Sequence, residues 1–139
     1  MHGFVQNIEE LTEQNTDFRR VLYSGSKLQL VLMSIEPGQE LGGESHAETV
    51  QFFRIEDGKG RIVNDGVADK VEAGDGIVVP AGAHHNVICA GQKALKLYTI
   101  YGPPHHLDQL VQQTKAEADA SDESFEGQTT EEAAKAVCV

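Results

Sequence analysis

The chain reads as an all-β protein, a sandwich or barrel with a short helix before it and an acidic tail behind it. Apolar residues alternate at period two through many short runs, turn pairs containing glycine separate those runs, and almost no helical spacing interrupts them between residues 18 and 104. Short strands at that density stack on one another or close into a barrel, because no helix lies between them to cross over a parallel sheet. The length of 139 residues suits one domain. The organisation expected is a helical lead-in over 1–17, the barrel over 18–104, and a short helix with the acidic tail over 105–139.

In the lead-in, Asn7 is the cap, Glu10 stands three residues later as the other half of a capping box, and Ile8 and Leu11 share a face. From Phe18 onward the period changes to two. Leu28, Leu30 and Leu32 alternate with Gln29, Val31 and Met33, up to the turn pair Pro37-Gly38. Further strands are expected over 49–55, 60–64, 67–71, 76–80, 86–90 and 94–101, and Asp65-Gly66 is a two-residue hairpin turn. Pro103-Pro104 ends the last strand, since proline cannot donate to a ladder. Leu107, Leu110, Val111 and Thr114 recur at helical spacing and predict a short helix outside the sheets. From Lys115 onward seven acidic residues stand against two basic ones, which predicts a mobile tail with a transient helix over 130–136.

Composition removes several classes of partner. Eleven Lys and Arg against 22 Asp and Glu give a net charge of −11, which repels phosphate backbones, so nucleic acid is not expected. No apolar run approaches the roughly 20 residues of a membrane span. The N-terminus has no basic cluster leading into an apolar stretch and cleavage site, so no signal peptide or membrane association is expected and the location expected is cytoplasmic. Cys89 and Cys138 match neither a disulfide framework nor a zinc knuckle and are expected to be free thiols.

Two clusters at strand ends are rich in metal-ligand residue types. The first runs from Gly38 through Glu44 and His46 to Gln51. Glu44 and His46 are two apart, so on an extended chain both leave the same face, and Gln51 is in phase with Phe53 and Ile55 on the following strand. The second runs from Gly74 through Pro80 and Gly82 to His84, His85 and Asn86.

These clusters resemble the two motifs of the cupin family. The first motif is Gly, five residues, His, one, His, three or four, Glu, six, Gly; it falls on Gly38, Glu44, His46, Gln51 and Gly58. The second is Gly, five, Pro, one, Gly, two, His, three, Asn; it falls on Gly74, Pro80, Gly82, His85 and Cys89. Both glycine frames match, and the resemblance spans about residues 18–101. Three positions depart from the pattern: Glu44 for the first His, Gln51 for the Glu and Cys89 for the Asn. The resemblance implies a double-stranded β-helix, the jelly-roll barrel, holding one divalent transition metal ion, with Glu44, His46, Gln51 and His85 as ligands. Two imidazoles and one carboxylate suit Fe, Mn, Ni or Zn, with the amide oxygen as a weaker fourth donor. It further implies a small-molecule ligand and a homodimer to which 18–23 contributes.

Around that set, His84 and Tyr98 are the candidates for an acid or base, although His84 leaves the strand on the side opposite His85. Phe53, Arg54 and Tyr101 are the candidates for substrate contact; Arg54 anchors an anionic substrate if it faces inward and is a surface charge if it faces outward. His105 and His106 either fold back over the barrel or stand exposed, the commoner fate for histidines after a double proline. Two functions are expected from different classes: a metal-dependent enzyme of isomerase or dioxygenase type acting on a small oxygenated substrate such as a sugar, and a binding or sensor module that performs no chemistry. A third expectation, with less behind it, is an acidic tail that docks on a basic partner.

Overall fold

The computed structural model describes residues 1–137, with side chains through residue 135. In chain order its elements are α1 (Ile8–Gln14), β1 (Arg19–Ser24), β2 (Gln29–Ile35), β3 (Val50–Asp57), β4 (Lys59–Asn64), β5 (Val67–Glu72), β6 (Gly76–Val79), β7 (His85–Cys89), β8 (Leu95–Gly102), β9 (Val111–Gln112), α2 (Lys115–Asp119) and α3 (Thr130–Val137). Six strands form one antiparallel sheet in the order β6-β3-β8-β2-β1-β9, and three form a second in the order β5-β4-β7. The chain from Glu40 to Glu44 bridges to β7 and widens the smaller sheet.

Alternation along each strand decides what lies between the sheets. On β3, Gln51, Phe53 and Ile55 are buried while Phe52 and Arg54 face the other way. Val31 and Met33 of β2 and Leu95 and Leu97 of β8 meet Ile62, Val87 and Cys89 of the smaller sheet in one apolar cluster. Helix α1 covers the outer face of β2, β3 and β8. Asn7 Oδ1 accepts the Glu10 N–H at 3.0 Å, and the Glu10 carboxylate turns to Gln14 at 3.3 Å, so only one arm of the capping box forms. Asp65 and Gly66 join β4 to β5 with φ of 46° and 82°, the two left-handed residues that a twisted hairpin needs.

The segment 107–114 differs from its helical spacing. Val111 and Gln112 instead form β9, opposite Arg20 and Arg19, and helix begins only at Lys115, where Thr114 Oγ1 accepts the Glu117 N–H at 3.1 Å. Gln109 has φ 64°, which no α-helix contains, and β1 with the residue before it offers Phe18 N–H to Gln113 O at 3.2 Å and Val21 N–H to Leu110 O at 2.9 Å. An unpaired strand edge in reach supplies more backbone partners than one turn of helix would. Phe18 and Val21 themselves are buried in the core, so their apolar character serves the interior, and the outer edge of β1 is taken by β9.

Helix α3 lies where the tail composition places one. Its first turn is tied to the barrel: Ser24 N–H donates to Thr130 Oγ1 at 2.8 Å, and Glu131 Oε1 accepts from Tyr23 Oη at 3.1 Å and from the Gly3 N–H at 2.7 Å. Cys89 is a buried free thiol; Cys138 lies outside the described residues. Among the described residues no helix is long and apolar enough to cross a membrane.

Candidate metal centre

Two loops meet because their backbones hydrogen-bond to each other. After the Pro37-Gly38 turn the chain runs antiparallel to β7, with Leu41 N–H to Val87 O at 2.8 Å. Glu44 and His85 then exchange both backbone bonds, at 2.9 and 2.8 Å, and Gly82 N–H reaches His46 O at 2.7 Å. Residues directly opposite in an antiparallel bridge carry their side chains on one face, so Glu44 and His85 are placed together by backbone geometry before side-chain chemistry acts. At Gly43 the exposed His84 ring packs where a Cβ would stand, 2.8 Å from His84 Cε1.

Glu44 Oε1 stands 3.4 Å from His46 Nε2 and 3.4 Å from His85 Nε2. One ligand atom from each of the three residues falls within 4.8 Å of the other two. Gln51, on the inner face of β3, donates its Nε2 to Thr99 Oγ1 at 3.0 Å. Glu44 Oε1, His46 Nε2, His85 Nε2 and Gln51 Oε1 are all buried, and none has a hydrogen-bond partner among the described residues. Leaving a buried polar atom unpaired costs about 1–3 kcal/mol; Glu44 Oε1 reaches His46 Nε2 and His85 Nε2 only at 3.4 Å, and an ion between these three satisfies them together, while Gln51 Oε1 is a further buried acceptor without a hydrogen bond. Metal bonds of about 2.0–2.2 Å set adjacent donors about 3.0–3.5 Å apart, and the 3.4 Å spacings fit that requirement. The residues present therefore fit a divalent ion.

Electrostatics agree with the geometry. Burial alone would raise the Glu44 carboxyl, but the His46 and His85 imidazoles more than reverse it and hold its pKa below the ordinary carboxylate value. Burial opposes protonation of His85, yet Glu44 and the Ala83 carbonyl outweigh it and the pKa is raised. His85 Nδ1 lies 3.3 Å from Ala83 O; with Nδ1–H donated to that carbonyl, Nε2 faces Glu44 either as an N–H donor to it or, unprotonated, as a lone pair available to an ion between them. The Glu44 side chain keeps 28% of its exposure, so the group is open to solvent on one side.

Aromatic rings wall the site. Phe53 lies 5.9 Å from His85 and Tyr101 6.3 Å from His46, measured between ring centroids. His105 packs closer, 4.2 Å from His46, and stacks on Tyr101 at 5.6 Å. Burial, then His106 and His46, push the His105 pKa down to about 4. Tyr101 Oη is 3.2 Å from His106 Nε2, and His106 Nδ1 is 2.5 Å from Glu123 Oε1. A carboxylate accepts only, so Nδ1 carries a proton; burial favours the neutral ring, in which Nε2 accepts a hydrogen bond from the Tyr101 hydroxyl.

Among the other residues singled out from the sequence, Phe53 and Tyr101 are fully buried beside the histidines. Arg54 faces outward and pairs with Glu56 at 2.9 Å, so it is a surface charge and no anion anchor inside the barrel. Tyr98 lies opposite Arg54 and Leu32 on that same outer face, three residues out of phase with Tyr101. His84 is exposed while His85 is buried, as alternation requires. His105 and His106 fold back over the site, against the expectation that they stand exposed. Glu123 was not legible as a site residue; its only local signal is the acidic composition it shares with the tail.

A family profile for the cupin domain matches residues 31–101. The chain belongs to the cupin family. This cupin is 43% identical over 126 residues to YrkC of Bacillus subtilis, which covers 86% of this chain and 68% of that protein. A protein of Acanthamoeba polyphaga mimivirus is 37% identical over 107 residues, covering 74% of this chain and 67% of that one. Among solved structures, BH2720 from Bacillus halodurans superposes with a TM-score of 0.85 at 41% identity, covering 86% of this chain and 96% of that one. A double-stranded β-helix protein from Klebsiella pneumoniae superposes at 0.63 with 17% identity over 73% of this chain and 91% of that one, a likeness of fold alone. The cupin barrel and its Glu-His-His group thus stand together in one chain.

Proposed function

We propose that this cupin is a mononuclear metal enzyme acting on a small oxygenated molecule such as a sugar, with Glu44, His46, Gln51 and His85 holding the ion. The observation that carries this reading is the convergence of one donor atom each from Glu44, His46 and His85 within 4.8 Å, buried and without hydrogen bonds among the described residues. A divalent transition metal bound there supplies a Lewis acid toward substrate oxygens. The chain's own residues shape what reaches it. Phe53 excludes water beside His85, Thr99 orients the Gln51 amide, and the Ala83 carbonyl fixes the His85 tautomer. Tyr101 keeps its proton directed at His106, so its oxygen offers a lone pair to any group entering the site. The reaction class is an isomerisation or an oxygen-dependent cleavage, and the metal's identity ranks the two: iron toward oxygen chemistry, zinc or manganese toward isomerisation.

The test is elemental analysis of the full chain, purified without a histidine tag, beside His85→Ala. About one equivalent of a transition metal in the wild type, absent in the variant, is the expected result. Full metal retention in His85→Ala removes the assignment. Saturable ligand binding without product across iron, manganese, nickel and zinc replaces the enzyme by a binding module of the same site.

A further inference from the structure

His105 is the histidine nearest the metal group that the ligand set does not use. Its ring lies 4.2 Å from the His46 ring and is half-buried, and among the described residues nothing is hydrogen-bonded to its ring nitrogens. Its backbone, by contrast, is held from both sides. From inside the barrel, Gln29 Oε1 accepts the His105 N–H at 3.0 Å and the His106 N–H at 2.9 Å, while Gln29 Nε2 donates to His106 O at 2.7 Å. From outside, Phe125 N–H donates to His105 O at 2.9 Å, and Glu123 grips His106 Nδ1 at 2.5 Å and Leu107 N–H at 2.8 Å. The ring is thus presented, half-exposed, beside His46 on a backbone held from both sides, with its nitrogens free of protein partners among the described residues.

We propose that His105 is the ligand-contacting residue of the metal site and that Glu123 is the residue that positions it, so that the acidic segment after Lys115 is a working part of the site. The inference rests on the metal reading above. An imidazole carries at least one N–H in either protonation state, so His105 donates to an oxygen of the bound molecule next to the oxygen on the ion. The ligand class is therefore a small molecule with two neighbouring oxygens, a hydroxy acid or a polyol. Glu123 acts through His106: its carboxylate fixes the His106 ring, which abuts the His105 ring at 4.8 Å and the Tyr101 ring at 5.2 Å. Loss of that carboxylate frees the ring and the turn that carries it without removing any group from the ion.

The probe is glycolate, titrated into the Co(II)-loaded full chain and followed by the visible cobalt bands. His105→Ala is expected to bind Co(II) at wild-type stoichiometry and to bind glycolate about tenfold more weakly, the loss of one hydrogen bond to a charged partner. Glu123→Ala should weaken glycolate by a smaller factor, Glu123→Gln should restore most of it because an acceptor oxygen returns to His106 Nδ1, and Glu126→Ala in the same segment should match the wild type. Unchanged glycolate affinity in His105→Ala overturns the inference and leaves the metal reading intact, as does a wild-type cobalt spectrum that glycolate does not move. Loss of Co(II) from His105→Ala overturns it too, by making that residue part of the ion's support. A wild-type chain that binds no Co(II) overturns the metal reading itself.

Discussion

Two buried glutamines flank Tyr101 within the larger sheet, Gln29 opposite it on β2 and Gln51 opposite it on β3. Their burial is the same, 0% and 1% exposed. Their hydrogen bonding is not. Gln29 spends both ends of its amide, accepting from the His105 and His106 backbones and donating to Ser24 Oγ and His106 O. Gln51 spends one end, donating to Thr99 and leaving Oε1 without a partner among the described residues. Equal burial of one residue type on one sheet therefore produces a structural clamp on one side of Tyr101 and an open donor on the other. What separates a packing residue from a site residue here is unfilled hydrogen-bonding capacity, since burial and residue type are matched.

Replacing the two glutamines in parallel tests this most strongly. Gln29→Leu strands two N–H groups, a carbonyl and a hydroxyl in the interior and is expected to cost about 3–5 kcal/mol in urea denaturation, whereas Gln51→Leu strands only the Thr99 hydroxyl and should cost about 1 kcal/mol. Equal losses would mean that the two sides of Tyr101 do the same work. Gln51→Glu sharpens the contrast in the other direction. A second carboxylate near Glu44 should lower the melting temperature of the metal-free chain by like-charge repulsion and raise metal affinity by about tenfold, roughly 1.4 kcal/mol, as read by competition with a chelator.

The smallest expected effect is on pH dependence and concerns the clamp side. Burial lowers the His106 pKa, so its neutral form is favoured in the fold and that stability fades as pH falls below the unfolded histidine value. Burial would raise Glu123, but His106 and the Leu107 N–H lower it, so its contribution is present above the ordinary glutamate value and is lost as pH falls through the folded one. Both signs agree, and the melting temperature should decline on acidification from neutral. Glu123→Gln removes the second component, so below about pH 4.5 its curve should be shallower than that of the wild type. Parallel curves in that range would show that Glu123 does not titrate against the fold.

The strands were legible because their information is local. The runs over 60–64, 67–71 and 76–80 match β4, β5 and β6 to within a residue at each end, since period two and glycine turns act over a few residues. The grouping of Glu44, His46 and His85 was legible through the resemblance to the cupin motifs, whose glycines here, Gly38, Gly74 and Gly82, have φ angles of 81°, 96° and 85°. The sequence leaves Arg54 open and keeps Tyr98 as a candidate acid or base; the strands place both on the outer face, each three residues from an inward-facing residue, Gln51 and Tyr101. The 107–114 segment was misread because its fate depended on an open strand edge some 90 residues earlier in the chain, which no local spacing encodes.

By itself the sequence determined that an all-β barrel would form, because alternation and turn chemistry are properties of short stretches, and its resemblance to the cupin motifs implied that a carboxylate and two imidazoles would meet at strand ends. The tertiary structure alone decided that His105 lies on His46, that Glu123 reaches His106, and that of two buried glutamines one is saturated and one open. Those outcomes depend on which groups meet across separations such as the 76 residues between Gln29 and His105 and the 17 between His106 and Glu123. A hydrogen bond is satisfied or left open only by the partner that arrives, and the partner is chosen by the packing of the whole barrel.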